Sequence, residues 1–185
     1  MKWLKWIGII LAAVLILPLV TLFALGHRAN AGHAHASVEI NASPEQIWPW
    51  LDDGDKLKQW ISWLVEVRES GPAAHAVGAN RVLVMKDENN GGMLMEISGQ
   101  YTEYAPPTLM SMRLSTPQEF DGSQTYHLES LANGHTRFNI DSHYHFANWF
   151  ANLMEPVVTP IAEKKMVGDA VRLKSLLEGR ADATR

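Results

Sequence analysis

The sequence predicts an α+β protein in which one antiparallel sheet of about seven strands is covered by a long C-terminal helix. Short segments of period-two apolar alternation between residues 37 and 146 indicate the strands, and a helical pattern follows over 148–179. A long uncharged segment at the start of the chain adds an N-terminal transmembrane helix. The predicted organisation is an anchor over 1–28, a tether over 29–36, a folded domain over 37–179 and a frayed tail over 180–185.

The segment from Trp6 to Gly26 carries no charge, and a helix needs about 20 apolar residues to cross a bilayer. Lys2 and Lys5 precede it, so the positive-inside rule predicts a single-pass protein with a cytoplasmic N-terminus and an exported domain, periplasmic or extracellular. The alternative is a cleaved signal peptide and a secreted domain, because Ala29-Asn30-Ala31 resembles a cleavage site. The segment exceeds the about 7–15 apolar residues of a signal peptide, which favours the anchor.

Composition excludes several classes of function. The formal net charge is −4 and no Lys/Arg cluster is present, which argues against nucleic acid as a partner. The chain contains no cysteine, so disulfides, thiol catalysis and cysteine-ligated zinc are excluded. Hydrophobic residues make up 46% and charged residues 19%, which is sufficient for a packed core.

The domain opens with a short strand that leads directly into a capped helix. Val38 and Ile40 alternate with polar residues, as expected for a half-buried strand. Ser43 is a good N-cap, Pro44 suits the first helical position, and Gln46 completes a capping box. A second short helix is predicted over 55–60. Six further strands are predicted over 63–70, 77–86, 93–104, 109–116, 123–131 and 135–146, with turn signals at Gly71-Pro72 and Asn89-Asn90-Gly91-Gly92.

The last hairpin turns at Gly134, and its loop length decides which side chains share a face. A two-residue loop sets Leu128 opposite Asn139 and mixes apolar with polar faces. A three-residue loop with Gly134 in the left-handed conformation keeps the apolar sets together. We therefore predict the pairs Leu128 with Phe138, Tyr126 with Ile140, and Glu129 with Arg137.

Two motifs carry a resemblance to a known family. The cap Ala42-Ser43-Pro44-Glu45 before a Trp-bearing helix is one, and Gly99-Gln100-Tyr101-Thr102-Glu103-Tyr104-Ala105-Pro106-Pro107 followed by Leu109 and Arg113 is the other. Together they resemble the SRPBCC superfamily (START-like or Bet v 1-like), of the polyketide cyclase/dehydrase and lipid-transport type. The resemblance extends from about residue 36 to 179. It implies the helix-grip fold, a curved antiparallel sheet that grips the C-terminal helix with a cavity between them.

Strand parity and the predicted covering helix select the side chains that face this cavity. Methionine is flexible and suits an adaptable apolar pocket, and tyrosine hydroxyls could orient a ligand there. The same residues would equally serve as ordinary core. The predicted lining is Trp48, Met93, Met95, Ile97, Tyr101, Met110, Met112, Leu114, Tyr126, Leu128, Phe138, Ile140, Ser142, Tyr144, Met166 and Ala170.

Three functions are compatible with this pattern. The leading one is binding of a hydrophobic small molecule or lipid without catalysis, in a domain that residues 6–26 anchor to the membrane. The second is a polyketide cyclase/dehydrase-like enzyme that uses the cavity tyrosines. The third is an interaction protein with a filled cavity. No catalytic residue or cofactor is predicted, because Glu96 and Asp141 point outward and no nucleophile or nucleotide motif occurs.

The histidines do not predict a metal site. His143 and His145 share the outer face with Asp141, but the predicted register sets His127 opposite Asn139 rather than beside them. Zinc needs three or four convergent ligands. His33 and His35 lie in the predicted tether. The side chains of Trp60, Ile61 and Trp63 could rim the mouth of a cavity or contact the membrane, but packing of the second helix onto the sheet is favoured. The same alternatives apply to Trp149-Phe150.

Overall fold

The computed structural model describes residues 2–28, 31–70, 75–87, 91–117 and 120–183. The turn signals at Gly71-Pro72 and Asn89-Asn90 lie outside the described residues, as do Ala29 and Asn30 of the possible cleavage site.

The elements follow the predicted order of strand, two short helices, six strands and a long helix, after an N-terminal helix. They are α1 (Lys2–Gly26), β1 (His33–Ile40), α2 (Pro44–Asp52), α3 (Gly54–Trp60), β2 (Leu64–Ser70), β3 (Asn80–Asp87), β4 (Met93–Ala105), β5 (Leu109–Ser115), β6 (Phe120–Ser130), β7 (Thr136–Phe146) and α4 (Trp149–Ala183). The strands form one antiparallel seven-stranded sheet in the order β1-β7-β6-β5-β4-β3-β2. The predicted α+β fold class is confirmed.

Two elements extend beyond the boundaries that the sequence predicts. Residues 33–36 were expected in the tether, but β1 begins at His33, which pairs with His143 of β7. Ala34 and Ala36 are buried there. Pairing with β7 and burial therefore hold this segment as a strand, although its composition is only weakly strand-like. At the other end α4 continues to Ala183, where a frayed tail from residue 180 was expected. Pro156 and Pro160 lie inside α4 without ending it.

The predicted hairpin register is confirmed. Leu128 pairs with Phe138, and Glu129 pairs with Arg137 through an ion pair of 2.9 Å between Oε2 and Nη1. Gly134 has φ +80°, the left-handed conformation on which the three-residue loop depends. Because side chains alternate along a strand, this register sets the inner face of β6 and β7.

The short helices α2 and α3 close one end of the sheet. Gln46 Oε1 accepts a hydrogen bond from the Ser43 N–H at 2.9 Å, as the capping box predicts. Trp60 is fully buried, donates from Nε1 to the Trp50 carbonyl at 2.8 Å, and contacts Phe138 edge to face. Half of the inner face is consequently a packed core, which the C-terminal half of α4 completes through Ala170 and Leu173.

The N-terminal helix α1 is long and apolar enough from Lys5 to Gly26 to cross a membrane. Its residues 5–21 are exposed, whereas its C-terminal end crosses α4. The crossing is close, because a Cβ added to Gly26 would lie 2.2 Å from the Asn152 carbonyl oxygen. The start of α4 is therefore packed against the end of α1.

Candidate ligand-binding cavity

A cavity of about 340 Å³ lies between the sheet and the first half of α4, beyond the packed core. Its walls come from the ends of the strands that α2 and α3 do not cover. Gly122 on β6 borders it, and a Cβ at that position would lie 2.2 Å from the His143 carbonyl oxygen. Glycine thus permits the close approach of β6 and β7 at the cavity wall.

The structure divides the predicted lining into two groups. Six predicted residues border the cavity, two of which (Ile97 and Leu114) also belong to the core cluster: Met95, Ile97, Leu114, Ser142, Tyr144 and Met166. Nine others belong to the packed core: Trp48, Tyr101, Met110, Met112, Tyr126, Leu128, Phe138, Ile140 and Ala170. Met93 is largely exposed. Strand parity assigns side chains to a face of the sheet, but it does not show how far α2 and α3 fill that face.

Several lining residues were not among those predicted. Phe120 and Gly122 border the cavity because β6 begins at Phe120 rather than at the predicted Ser123, and Gln124 lies inside the predicted strand but was not selected. Extending the parity of Tyr126 backwards along β6 would have placed Phe120, Gly122 and Gln124 on the inner face. Other unpredicted lining residues are Ala34, Trp63, Met85, Ser123, His143, Phe146, Val158 and Ala162.

A hydrogen-bonded relay connects the cavity to the end of α1. Thr159 donates from Oγ1 to Glu155 Oε1 at 2.7 Å, and its Oγ1 lies 2.6 Å from the hydroxyl of Tyr144, which borders the cavity. Since the single hydroxyl proton of Thr159 is committed to the carboxylate, Tyr144 donates to Thr159. The lone pairs of Tyr144 Oη are therefore left to accept a further hydrogen bond.

Glu155 is the charged end of this relay. Its side chain is 2% exposed, and it accepts two hydrogen bonds from the Arg28 guanidinium and one from the Gly32 N–H. Burial by itself raises the pKa of Glu155, but the bonds from Gly32, Thr159 and Arg28 outweigh it and lower the pKa below its ordinary value. The carboxylate is thus ionised at neutral pH.

Other polar contacts at the cavity are neutral. Gln124 donates from Nε2 to Tyr126 Oη at 2.7 Å, and Ser142 Oγ lies 3.9 Å from Met166 Sδ. Burial raises the pKa of Tyr144 and of Tyr126, so both phenols are protonated at neutral pH. No Asp, Glu, Lys or Arg occurs among the described residues that line the cavity. His143 borders it, but its ring stacks on His33 at 4.1 Å on the outer face.

A second polar cluster lies at the opposite end of the sheet, and the sequence did not indicate it. Asp52 Oδ1 accepts from Tyr104 Oη at 3.1 Å and lies 2.8 Å from His75 Nδ1. Burial and the nearby Asp52 carboxylate raise the pKa of Tyr104 to about 12. Arg81 is fully buried beside them and pairs with Glu69. These residues join α2 to β3, and none of them borders the cavity.

The outer-face histidines lie close to an acidic residue. His35 Nδ1 is 2.8 Å from Asp141 Oδ1, and His127 pairs with Asn139 as predicted. Within the described ranges no group of three or more His, Asp or Glu residues is arranged to hold a metal ion.

Comparison with known proteins identifies one family. The family model described as polyketide cyclase / dehydrase and lipid transport matches residues 31–178. Comparison with curated proteins finds no similar sequence.

Solved structures share the fold. A Nitrosomonas europaea protein is 15% identical with a TM-score of 0.64, covering 84% of this chain and 99% of that one. A conserved Geobacillus kaustophilus protein is 10% identical with a TM-score of 0.65, covering 80% and 95%. DynU16, a protein in the dynemicin biosynthetic locus, is 16% identical with a TM-score of 0.57, covering 80% and 47%. At these identities the likeness is one of fold.

Proposed function

Since this chain belongs to the polyketide cyclase/dehydrase and lipid transport family, we propose that it binds a hydrophobic small molecule or lipid between the sheet and α4, at a membrane that α1 spans. The observation that carries the proposal is the apolar cavity of about 340 Å³ beside the junction with α1. This volume lies at the low end of the roughly 300–1,000 Å³ of ligand pockets, which favours one acyl chain or one compact ring system over a two-chain lipid.

Burial alone supplies enough free energy for such a ligand. Apolar surface contributes about 25 cal/mol per Å², so a ligand that buries about 300 Å² gains roughly 7 kcal/mol before the cost of association. One polar group of the ligand would be oriented by Tyr144, whose Oη has lone pairs free to accept a hydrogen bond. We therefore expect a ligand with a hydroxyl, amide or protonated carboxyl group near one end.

Two observations support the membrane anchor: the charges at the start of α1 and the ion pair at its end. Lys2 and Lys5 at its start favour a cytoplasmic N-terminus and an exported domain. Arg28, which follows α1, pairs with the buried Glu155. Cleavage after Ala31 would remove that cation from the carboxylate, so the ion pair favours retention of α1 over secretion.

The two alternatives receive less support. A cyclase or dehydrase needs a group that removes or supplies a proton. Tyr144 borders the cavity, and because burial raises its pKa it stays protonated at neutral pH and is both a poor base and a weak acid. A filled cavity would make the domain purely an interaction module, and the space beside Ser142 and Met166 counts against it.

Native mass spectrometry of the full chain, released from nanodiscs made with a total lipid extract, tests the proposal. We expect a co-bound hydrophobic molecule in the wild type. Ala162→Phe places a ring in the cavity and should abolish uptake, whereas Val171→Phe adds the same ring to an exposed site on the same helix and should leave uptake unchanged. Equal uptake by both variants, or none by the wild type, would refute the proposal.

A further inference from the structure

The helix α4 consists of two chemically different halves. Residues 149–162 contain one ionisable side chain, Glu155, which is buried against Arg28. Residues 163–183 contain nine, as expected for a helix that faces water. The first half, called here the apolar half, is about 21 Å long at 1.5 Å per residue. It presents no exposed charge over that length.

The apolar half is also unusually exposed for its composition. Trp149 is 72% exposed, Phe150 58% and Ile161 55%, and Val157 is exposed as well. Phe150, Val157 and Ile161 follow a spacing of seven and four residues, which places them along one side of the helix. A contiguous apolar stripe of this kind marks a contact surface rather than a face that water covers.

The position of α1 identifies what covers the stripe. Gly26 at the end of α1 touches the Asn152 backbone, and Arg28 pairs with Glu155 one turn further along α4. A bilayer crossed by α1 therefore has its surface at this level of α4. Tryptophan and phenylalanine are favoured at that boundary, and an uncharged apolar helix face is stabilised there.

The geometry points to the apolar half of α4 as an interfacial helix, which lies in the headgroup–acyl boundary of the membrane that α1 crosses. Val158 belongs to this half, is partly exposed, and borders the cavity. The rim of the cavity therefore faces the bilayer, and a ligand moves between lipid and cavity without crossing bulk water. This inference rests on the membrane anchor of the proposed function, although not on the identity of the ligand.

Because the chain has no cysteine, single spin labels test this surface in the full-length protein, with one copy per nanodisc of phosphatidylcholine and phosphatidylglycerol. Labels at Phe150→Cys and Ile161→Cys report on the stripe. A label at Val171→Cys, exposed on the charged half of α4, is the matched control. A label at Val14→Cys, exposed on α1, reports on the anchor. Collision rates are measured with oxygen, which is concentrated in lipid, and with a water-soluble nickel chelate.

We expect the labels at 150 and 161 to be at least fivefold less accessible to the nickel chelate than the label at 171, with the opposite order for oxygen. Nickel accessibility at 150 and 161 equal to that at 171, with residue 14 still protected, would overturn the interfacial helix and leave the anchor intact. Water accessibility at residue 14 as well would overturn the anchor. Protection that appears only with several copies per disc would assign the stripe to a second copy and also overturn the inference.

Discussion

Arg28 and Glu155 form a bidentate ion pair between the end of α1 and the buried face of α4, with distances of 2.6 Å from Nη1 to Oε2 and 3.1 Å from Nη2 to Oε1. Arg28 is 38% exposed, whereas Glu155 is 2% exposed. Through Thr159 the pair also sets the direction of the hydrogen bond from Tyr144. The end of α1 is thus joined to the cavity wall by charge and hydrogen bonds.

Arg28→Ala is expected to lower the free energy of unfolding by about 3 kcal/mol, because it leaves Glu155 as a buried carboxylate without its cation. The matched control is Arg137→Ala, which removes an exposed pair with Glu129 and should cost less than about 1 kcal/mol. Chemical denaturation of both variants of the full chain in detergent measures the difference. Equal losses would show that the Arg28 pair behaves as an ordinary surface contact.

The stabilising effect of Glu155 should disappear in acid. Its pKa is lower in the folded than in the unfolded protein, so the unfolded chain binds more protons between the two values. The contribution is therefore complete above the unfolded value of about 4.3 and is lost as the pH falls through the folded pKa. Glu155→Gln should lower the free energy of unfolding by about 2 kcal/mol at pH 7, and by progressively less as the pH is lowered below about 4.

Unfolding of Glu155→Gln and wild type across this pH range checks that expectation. Glu163→Gln, an exposed site on the same helix, is the control and should change stability by less than about 0.5 kcal/mol throughout. A difference between wild type and Glu155→Gln that stays constant down to pH 3 would contradict the lowered pKa.

Gly26→Ala should separate α1 from α4, since the added Cβ would lie 2.2 Å from the Asn152 carbonyl oxygen. Overpacking of this kind costs about 1–3 kcal/mol. Gly8→Ala is the control in the same helix, where nothing lies within 4 Å of the new Cβ. Thermal unfolding in nanodiscs distinguishes the two, and an unchanged melting temperature for Gly26→Ala would mean that the crossing is loose.

Two tyrosines on the inner face should respond differently to loss of the hydroxyl. Tyr144→Phe removes the bond to Thr159 and should cost about 1 kcal/mol. Tyr101 Oη is buried and has no hydrogen-bond partner among the described residues, so Tyr101→Phe should be neutral or stabilise by about 1 kcal/mol. Denaturation curves of the two variants decide this, and a loss at Tyr101 equal to that at Tyr144 would reveal a missing partner.

On the inner face of the sheet, the sequence predicts which face a side chain occupies but not whether it lies in the core or at the cavity. Parity along β7 placed Phe138, Ile140 and Tyr144 on one side, and the hairpin register confirmed that side. Parity carries no information about depth along the strand, so it did not separate the core residue Phe138 from the cavity residue Tyr144. Trp48, expected in the cavity lining, is buried in the core instead.

The sequence by itself determined the family, the α+β class, the order of elements and the register of the last hairpin, because these depend on local patterns of period 2 and 3.6 and on turn chemistry. Only the tertiary structure decided that Arg28 meets Glu155 and that α2 and α3 fill one half of the inner face. Those contacts join residues far apart in the chain, and no local pattern encodes a distance across the fold. The position of the cavity beside α1 is a consequence of that packing.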